Sequence, residues 1–232
     1  MSQETVLIIG VGDGLSAALA RLFAGQGMRL ALAARRADRL GPLAGETAAR
    51  AYACDASRPD EVETLFAATV RDLGPPDIVV YNPSYRTRGP LVDLDPAEVE
   101  KTLLVTCYGG FLAGQAAARL MLARGSGTIL FTGASASVKG YANSAPFAMG
   151  KFGLRGLAQS MARELAPKNI HVAHVVIDGG IARPGADPRA AGRGPDGMLQ
   201  PEAIAATYLH LHRQHRSTWS WEVELRPWVE TF

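Results

Sequence analysis

Cysteine is scarce in this sequence, net charge is close to zero, and no long apolar stretch occurs. Each shortage excludes something. Two cysteines in 232 residues, Cys54 and Cys107, are too few for a disulfide-stapled scaffold. Each sits in an apolar segment, and reduced, buried thiols suit a cytoplasmic protein. Twenty-four basic residues against 22 acidic ones leave a formal charge of +2, which gives no electrostatic reason to expect nucleic acid. No run approaches the roughly 18 apolar residues of a membrane helix. The polar start, Met1 to Thr5, has neither a basic region nor a cleavage-like site, so no secretory leader and no membrane attachment are expected. No metal is expected either. His210, His212 and His215 stand at mixed spacing on a predicted helix, and no carboxylate nearby completes a ligand set.

What is present is an alternation of short apolar runs with longer segments of helical period. Val6–Ile9 is continuously apolar, as a strand buried on both faces should be. Leu15, Leu19, Leu22 and Phe23 recur at helical spacing before Gly27. Further strands are predicted at Leu30–Ala34, Ala51–Cys54, Ile78–Tyr81, Thr128–Thr132 and His171–Ile177, with an edge strand at Trp219–Leu225. Helices are predicted from Pro59 through Leu73, from Pro96 to about Arg124, from Pro146 to Ala166, and from Pro201 to His215. Repeated strand–helix units imply one α/β domain over residues 1–232, a doubly wound parallel sheet with helices on both faces. The Gly-, Pro-, Arg- and Asp-rich stretch at about 182–200 reads as a mobile lid.

The first strand runs into Gly10-Val11-Gly12-Asp13-Gly14-Leu15-Ser16 and then a helix. Glycine reaches the backbone angles of a tight turn, and its bare Cα lets a pyrophosphate approach. The helix that follows offers unpaired amides and the positive end of its dipole. The pattern GxGxxG fails at Leu15. About twenty residues on, NAD-binding domains carry an acidic residue for the ribose hydroxyls. Ala34 stands there, followed by Arg35 and Arg36, whose planar donor forks suit the 2′-phosphate of NADP(H). Asp13 argues mildly the other way. NADP(H) is therefore favoured over NAD(H), in a Rossmann-like setting.

Several separate segments together resemble the short-chain dehydrogenase/reductase family over nearly the whole chain. Gly10 and Gly14 fit its TGxxxGxG turn, with Ile9 for the threonine and Ser16 for the last glycine. Cys54-Asp55-Ala56 is similar to the turn whose Asp sits by the adenine. Tyr81-Asn82-Pro83-Ser84 stands where the family has NNAG. Val105-Thr106-Cys107-Tyr108-Gly109-Gly110-Phe111 resembles VNxxGxF. Thr132-Gly133-Ala134-Ser135-Ala136-Ser137 is similar to the segment holding the catalytic serine. Phe147-Ala148-Met149-Gly150-Lys151 lies where YxxxK belongs. The resemblance implies contacts to the dinucleotide from Gly10, Gly12, Asp13, Gly14, Leu15, Arg35, Arg36, Asp55, Ala56, Asn82 and Lys151. It also implies a small-molecule substrate and a homodimer or homotetramer. The small-residue run Gly109, Gly110, Gly114, Ala116, Ala117 and Ala118 would allow close packing with a second subunit, or equally with the chain's own sheet.

The family's Asn, Ser, Tyr and Lys fall on Thr106, Ala134, Phe147 and Lys151, so only the lysine stands. Phe147 has no ionisable proton and Ala134 no hydroxyl. Shifting the register by one makes Ser135 the serine. Candidate proton donors are then Ser135, Ser137, Tyr85, Tyr141 and Asp178, with Lys151 holding the nicotinamide ribose. Asp178, just past a buried strand end, could equally be an ordinary turn residue. Two functions follow. One is an NADP(H)-dependent oxidoreductase with a rearranged proton donor, since losing a general acid removes about 10² to 10⁴ in rate without abolishing hydride transfer. The other is a catalytically inactive cofactor-binding sensor or scaffold.

Overall fold

In the computed structural model, residues 3–183, 185 and 187–231 are described. Positions 184 and 186 of the expected lid lie outside them. Among the described residues, seven strands form one parallel sheet: β1 (Thr5–Ile9), β2 (Arg29–Ala34), β3 (Arg50–Ala53), β4 (Ile78–Tyr81), β5 (Gly127–Thr132), β6 (Ile170–Ile177) and β7 (Glu222–Leu225). Their order is β3-β2-β1-β4-β5-β6-β7, and every neighbouring pair runs parallel. The helices are α1 (Leu15–Gly25), α2 (Gly41–Thr47), α3 (Pro59–Leu73), α4 (Pro96–Leu103), α5 (Gly109–Arg124), α6 (Ala145–Leu165) and α7 (Pro201–Arg213). No helix among the described residues is long and apolar enough to cross a membrane.

Strand β1 shows why the apolar runs are continuous. Val6 and Ile8 join one core with Leu19 and Phe23 of α1 and with Ile204 and Tyr208 of α7. Leu7 and Ile9 point the other way, into a second core with Leu65 of α3, Ala117 of α5 and Leu154 of α6. Side chains alternate across a strand, so a strand covered on both sides has no polar face to spare. The chain winds from β1 outward to β3, then returns to place β4 on the other side of β1. Ligands of such sheets bind at that switch point, beyond the carboxyl ends of the strands.

Three local features differ from expectation. The helix predicted from Pro96 to Arg124 is interrupted by a π-helical turn at Leu104–Tyr108. The phenol of Tyr81, at the end of β4, donates to the Val105 carbonyl, and a side chain inserted in the ladder is a known cause of local widening. Helix α2 is not among the predicted helices; Pro42 sits in its first turn, where no amide is needed. Trp219 and Trp221 precede β7 rather than belong to it. Trp219 stacks on His171 at 4.8 Å, and Trp228 is 73% exposed.

The small-residue run of α5 has an explanation within the chain. A Cβ on Gly109 would overlap the Tyr81 hydroxyl and the Ala56 carbonyl, and one on Gly110 would overlap Leu154.

Candidate active site

Gly10 leaves β1 at φ +82°, and a Cβ there would lie 2.6 Å from the Pro83 nitrogen. Backbone angle and space both demand glycine. Gly12 and Gly14 are different, since a Cβ on either would meet no protein atom within 4 Å. Their bare side opens onto a groove. Gly14 also caps α1 without any side-chain hydrogen bond, so the first amides of that helix remain as donors for an anion. This cradle fits a dinucleotide pyrophosphate. Ser16, at the position of the family's last glycine, has a structural task. Its hydroxyl donates to the Gly10 carbonyl at 3.1 Å and accepts from Asn82 Nδ2 at 2.7 Å. Asn82 thereby braces the glycine turn from β4.

On the β2 side the groove is a cavity of about 460 Å³, walled by Gly12, Asp13, Arg35, Arg36, Asp55 and Ala56, with Asn82 at its inner end. Arg35 and Arg36 are exposed just past β2, and Arg36 pairs with Asp38 at 3.2 Å. Asp55 accepts from the Ser57 amide and hydroxyl at 3.0 and 2.7 Å. Burial pushes its carboxyl upward, but the Ser57 bonds together with the charges of Arg35 and Arg58 hold the group below the usual carboxylate value. Gly14 and Leu15 lie on the neighbouring cavity, about 770 Å³, which continues to Lys151.

Lys151 is buried on α6, and its Nζ donates to the Thr132 carbonyl at 2.8 Å. Burial first, then the charge of Arg86, push its pKa down to about 7. One turn earlier on α6, Phe147 presents a buried ring. The Arg86 guanidinium carbon lies 3.9 Å from the centre of that ring and Lys151 Nζ 5.8 Å from it. Thr106, in the π-helical turn, accepts from the Tyr85 amide at 3.2 Å.

The serine segment after β5 divides its hydroxyls between two tasks. Ser137 is fully buried, accepts from the Ala134 amide at 3.1 Å, and lies 3.2 Å from His174 Nε2. His174 Nδ1 lies 3.0 Å from Glu222, and Arg155 donates to both oxygens of that carboxylate. Burial keeps this imidazole neutral, with its pKa near 4. That chain runs behind the site wall. Ser135 is the hydroxyl that faces both the 770 Å³ cavity and an adjoining one of about 600 Å³. Tyr141, 47% exposed, lines the second. Asp178 lines it too, but its carboxylate is held by Lys139 at 3.1 Å and Arg226 at 2.9 Å. Tyr85 turns away from the site and donates to Glu98 at 2.6 Å.

Arg86 and Arg88 were not singled out from the sequence. The available signal was their alternation just past β4, where loops face the cleft.

With this geometry in place, comparison with known proteins gives the class. The chain belongs to the short chain dehydrogenase family, whose model matches residues 4–185. It is an oxidoreductase of the short-chain type, a class that binds a nicotinamide cofactor. Among curated relatives, the 3-oxoacyl-acyl-carrier-protein reductase MabA of Mycobacterium tuberculosis is 30% identical over 179 residues, 77% of this chain and 70% of that one. The human 3-oxoacyl-acyl-carrier-protein reductase is 29% identical over 179 residues, 76% of this chain and 75% of that one. Among solved structures, a short-chain dehydrogenase from Rhodopseudomonas palustris superposes with a TM-score of 0.85 at 36% identity, covering 98% of this chain and 100% of its own. A metagenomic short-chain oxidoreductase in complex with NADP gives 0.84 at 27% identity, covering 98% of both chains.

Proposed function

We propose that this protein is an NADP(H)-dependent oxidoreductase acting on a small carbonyl compound or the matching alcohol, with its proton transfer moved off the usual phenol. The observation that carries the reading is one continuous groove, open at the bare faces of Gly12 and Gly14, with Arg35 at one end and Lys151 at the other. Arg35 and Arg36 suit the 2′-phosphate, as Ala34 offers no carboxylate to compete for the ribose. The NADP held by the metagenomic neighbour and the reductase relatives support the same cofactor.

When bound, the nicotinamide supplies or takes up the hydride. The chain supplies the rest. Lys151 holds the ribose hydroxyls near the nicotinamide, and its ammonium, titrating near 7, can release a proton at neutral pH. Ser135 donates to the reacting oxygen from the cavity wall. Tyr141 covers the opening, and Ala182, Arg183 and Arg189, which line the 770 Å³ cavity, belong to the substrate lid. The protein works as a homodimer or homotetramer in the cytoplasm. Leu104, Tyr108 and Phe111, at helical spacing, and Met149 and Phe152 on α6 are exposed apolar side chains suited to a second copy. Unpaired Cys54 and Cys107 suit a reducing compartment.

Calorimetric titration with NADPH and NADH tests the reading. NADPH is expected to bind at least tenfold tighter than NADH, and a panel of carbonyl compounds is then expected to yield turnover. If neither dinucleotide binds at millimolar concentration, the oxidoreductase reading is wrong, and so is the cofactor-sensor alternative.

A further inference from the structure

Three arginine and lysine side chains converge where the 770 and 600 Å³ cavities meet. Arg86 lines both, Arg88 lines the second, and Lys151 the first. The two carboxylates of the 600 Å³ cavity are already engaged, and Asp13 of the 770 Å³ cavity belongs to the glycine turn. Asp178 is held between Lys139 and Arg226, and Glu230 is paired with Arg193. Among the described residues no carboxylate lies within ion-pair distance of Arg86 or Arg88. The Arg86 guanidinium carbon lies over the face of Phe147, 3.9 Å from the ring centre.

That contact seats the guanidinium on the ring, and a ring face takes up none of its N–H donors as a carboxylate would. Arg86 and Arg88 are both solvent-exposed on this wall, and partial burial, followed by the charge of Arg88, lowers the Arg86 pKa. Two cations lining one cavity with no carboxylate paired to either make a place for an anion. The replacement at position 147 also matters, because a plain ring offers the guanidinium no hydroxyl to bond. Its donors stay available.

We infer that Arg86, backed by Arg88, binds a carboxylate of the substrate, so that the substrate is an anionic carbonyl compound or the matching hydroxy acid. The inference rests on the oxidoreductase reading for the word substrate, but the anion site itself is made of protein atoms and can be tested without turnover.

The experiment is calorimetric titration of the full chain, with and without NADPH, using hexanoate and its neutral counterpart hexanamide. Hexanoate is expected to bind at least tenfold tighter than hexanamide, in keeping with a charge-assisted hydrogen-bonded pair. Arg86→Gln is expected to remove that preference, and Arg88→Gln to reduce it severalfold. Binding of NADPH by each variant reports that the fold is intact. Equal binding of the two probes, binding of neither, or a preference that survives in a folded Arg86→Gln protein each overturns the inference. Should NADPH fail to bind while hexanoate does, the cofactor reading falls and the anion site stands. Where turnover is found, 4-oxopentanoate and its methyl ester separate two roles. A loss in Arg86→Gln confined to the acid supports carboxylate binding. An equal loss on both means that Arg86 acts on the carbonyl, which overturns it.

Discussion

At the glycine end of the groove the ligand surface is made by backbone; at the lysine end it is made by side chains. Gly10 is confined by its φ of +82° and by Pro83, and the first amides of α1 come with the helix itself. Little there can change without losing the turn. At the other end, Phe147, Ala134 and Thr106 stand on well-formed elements that would carry other side chains equally well. The contrast shows how one fold can hold its glycine turn fixed while leaving the side chains at the other end of the groove free to vary.

The largest effect should come from disturbing the backbone-built end. Gly10→Ala adds a Cβ at a left-handed position against Pro83, and is expected to cost about 2 to 4 kcal/mol in urea unfolding. NADPH binding should weaken by at least about tenfold in the same protein. If Gly10→Ala is neutral, the contrast between the two ends is lost.

Next is the buried lysine. Its folded-state pKa of about 7 lies below the ordinary 10.5, so across that window the unfolded chain binds the proton more tightly. Wild-type stability should therefore rise as pH climbs from about 7, by up to about 1.4 kcal/mol per unit. Lys151→Met lacks that proton. Between pH 7 and 9 the wild type should gain about 2 kcal/mol relative to the variant, read from paired denaturant curves. Parallel curves would mean that Lys151 is not desolvated as the structure has it.

Smaller again is the cofactor preference. Arg35→Glu should lower the ratio of NADPH to NADH affinity by about 10- to 100-fold, the scale of one charged hydrogen bond. An unchanged ratio would move the 2′-phosphate contact to Arg36. The smallest effect is expected for Phe147→Tyr. The buried ring is kept, so stability should shift by less than about 1 kcal/mol. Turnover should change by less than about tenfold if the proton already travels by another route. A rise of several hundredfold would instead show that the site lacks only its phenol.

Much of the architecture was legible because local signals agreed with one another. Helix α3 begins at Pro59 and ends before Gly74 at φ +86°, and β4 is a four-residue apolar run, so both follow the predicted bounds. What escaped depended on distant partners. The π-helical turn needs the Tyr81 phenol, which no local pattern announces. Helix α2, seven residues long, is too short to show a periodic apolar face. Within the site, the glycine turn could be read from spacing. Nothing local distinguishes Ser135 from Ser137, and only the position of His174 shows which hydroxyl is spent behind the wall. Arg86 and Arg88 look like ordinary solvated charges until Phe147 is placed beneath one of them.

The widened turn at Leu104–Tyr108 makes α4 and α5 one rod with a dislocation in it. Each residue of an α-helix advances the rotation by about 100°. Deleting one residue there would anneal the defect into regular helix and swing everything upstream around the rod axis by about that angle. Thr106 would lose the Tyr85 amide, and the loop carrying Arg86 would lose its anchor. The extra residue thus acts as a phase setting between the sheet and the strip of chain that walls the substrate side.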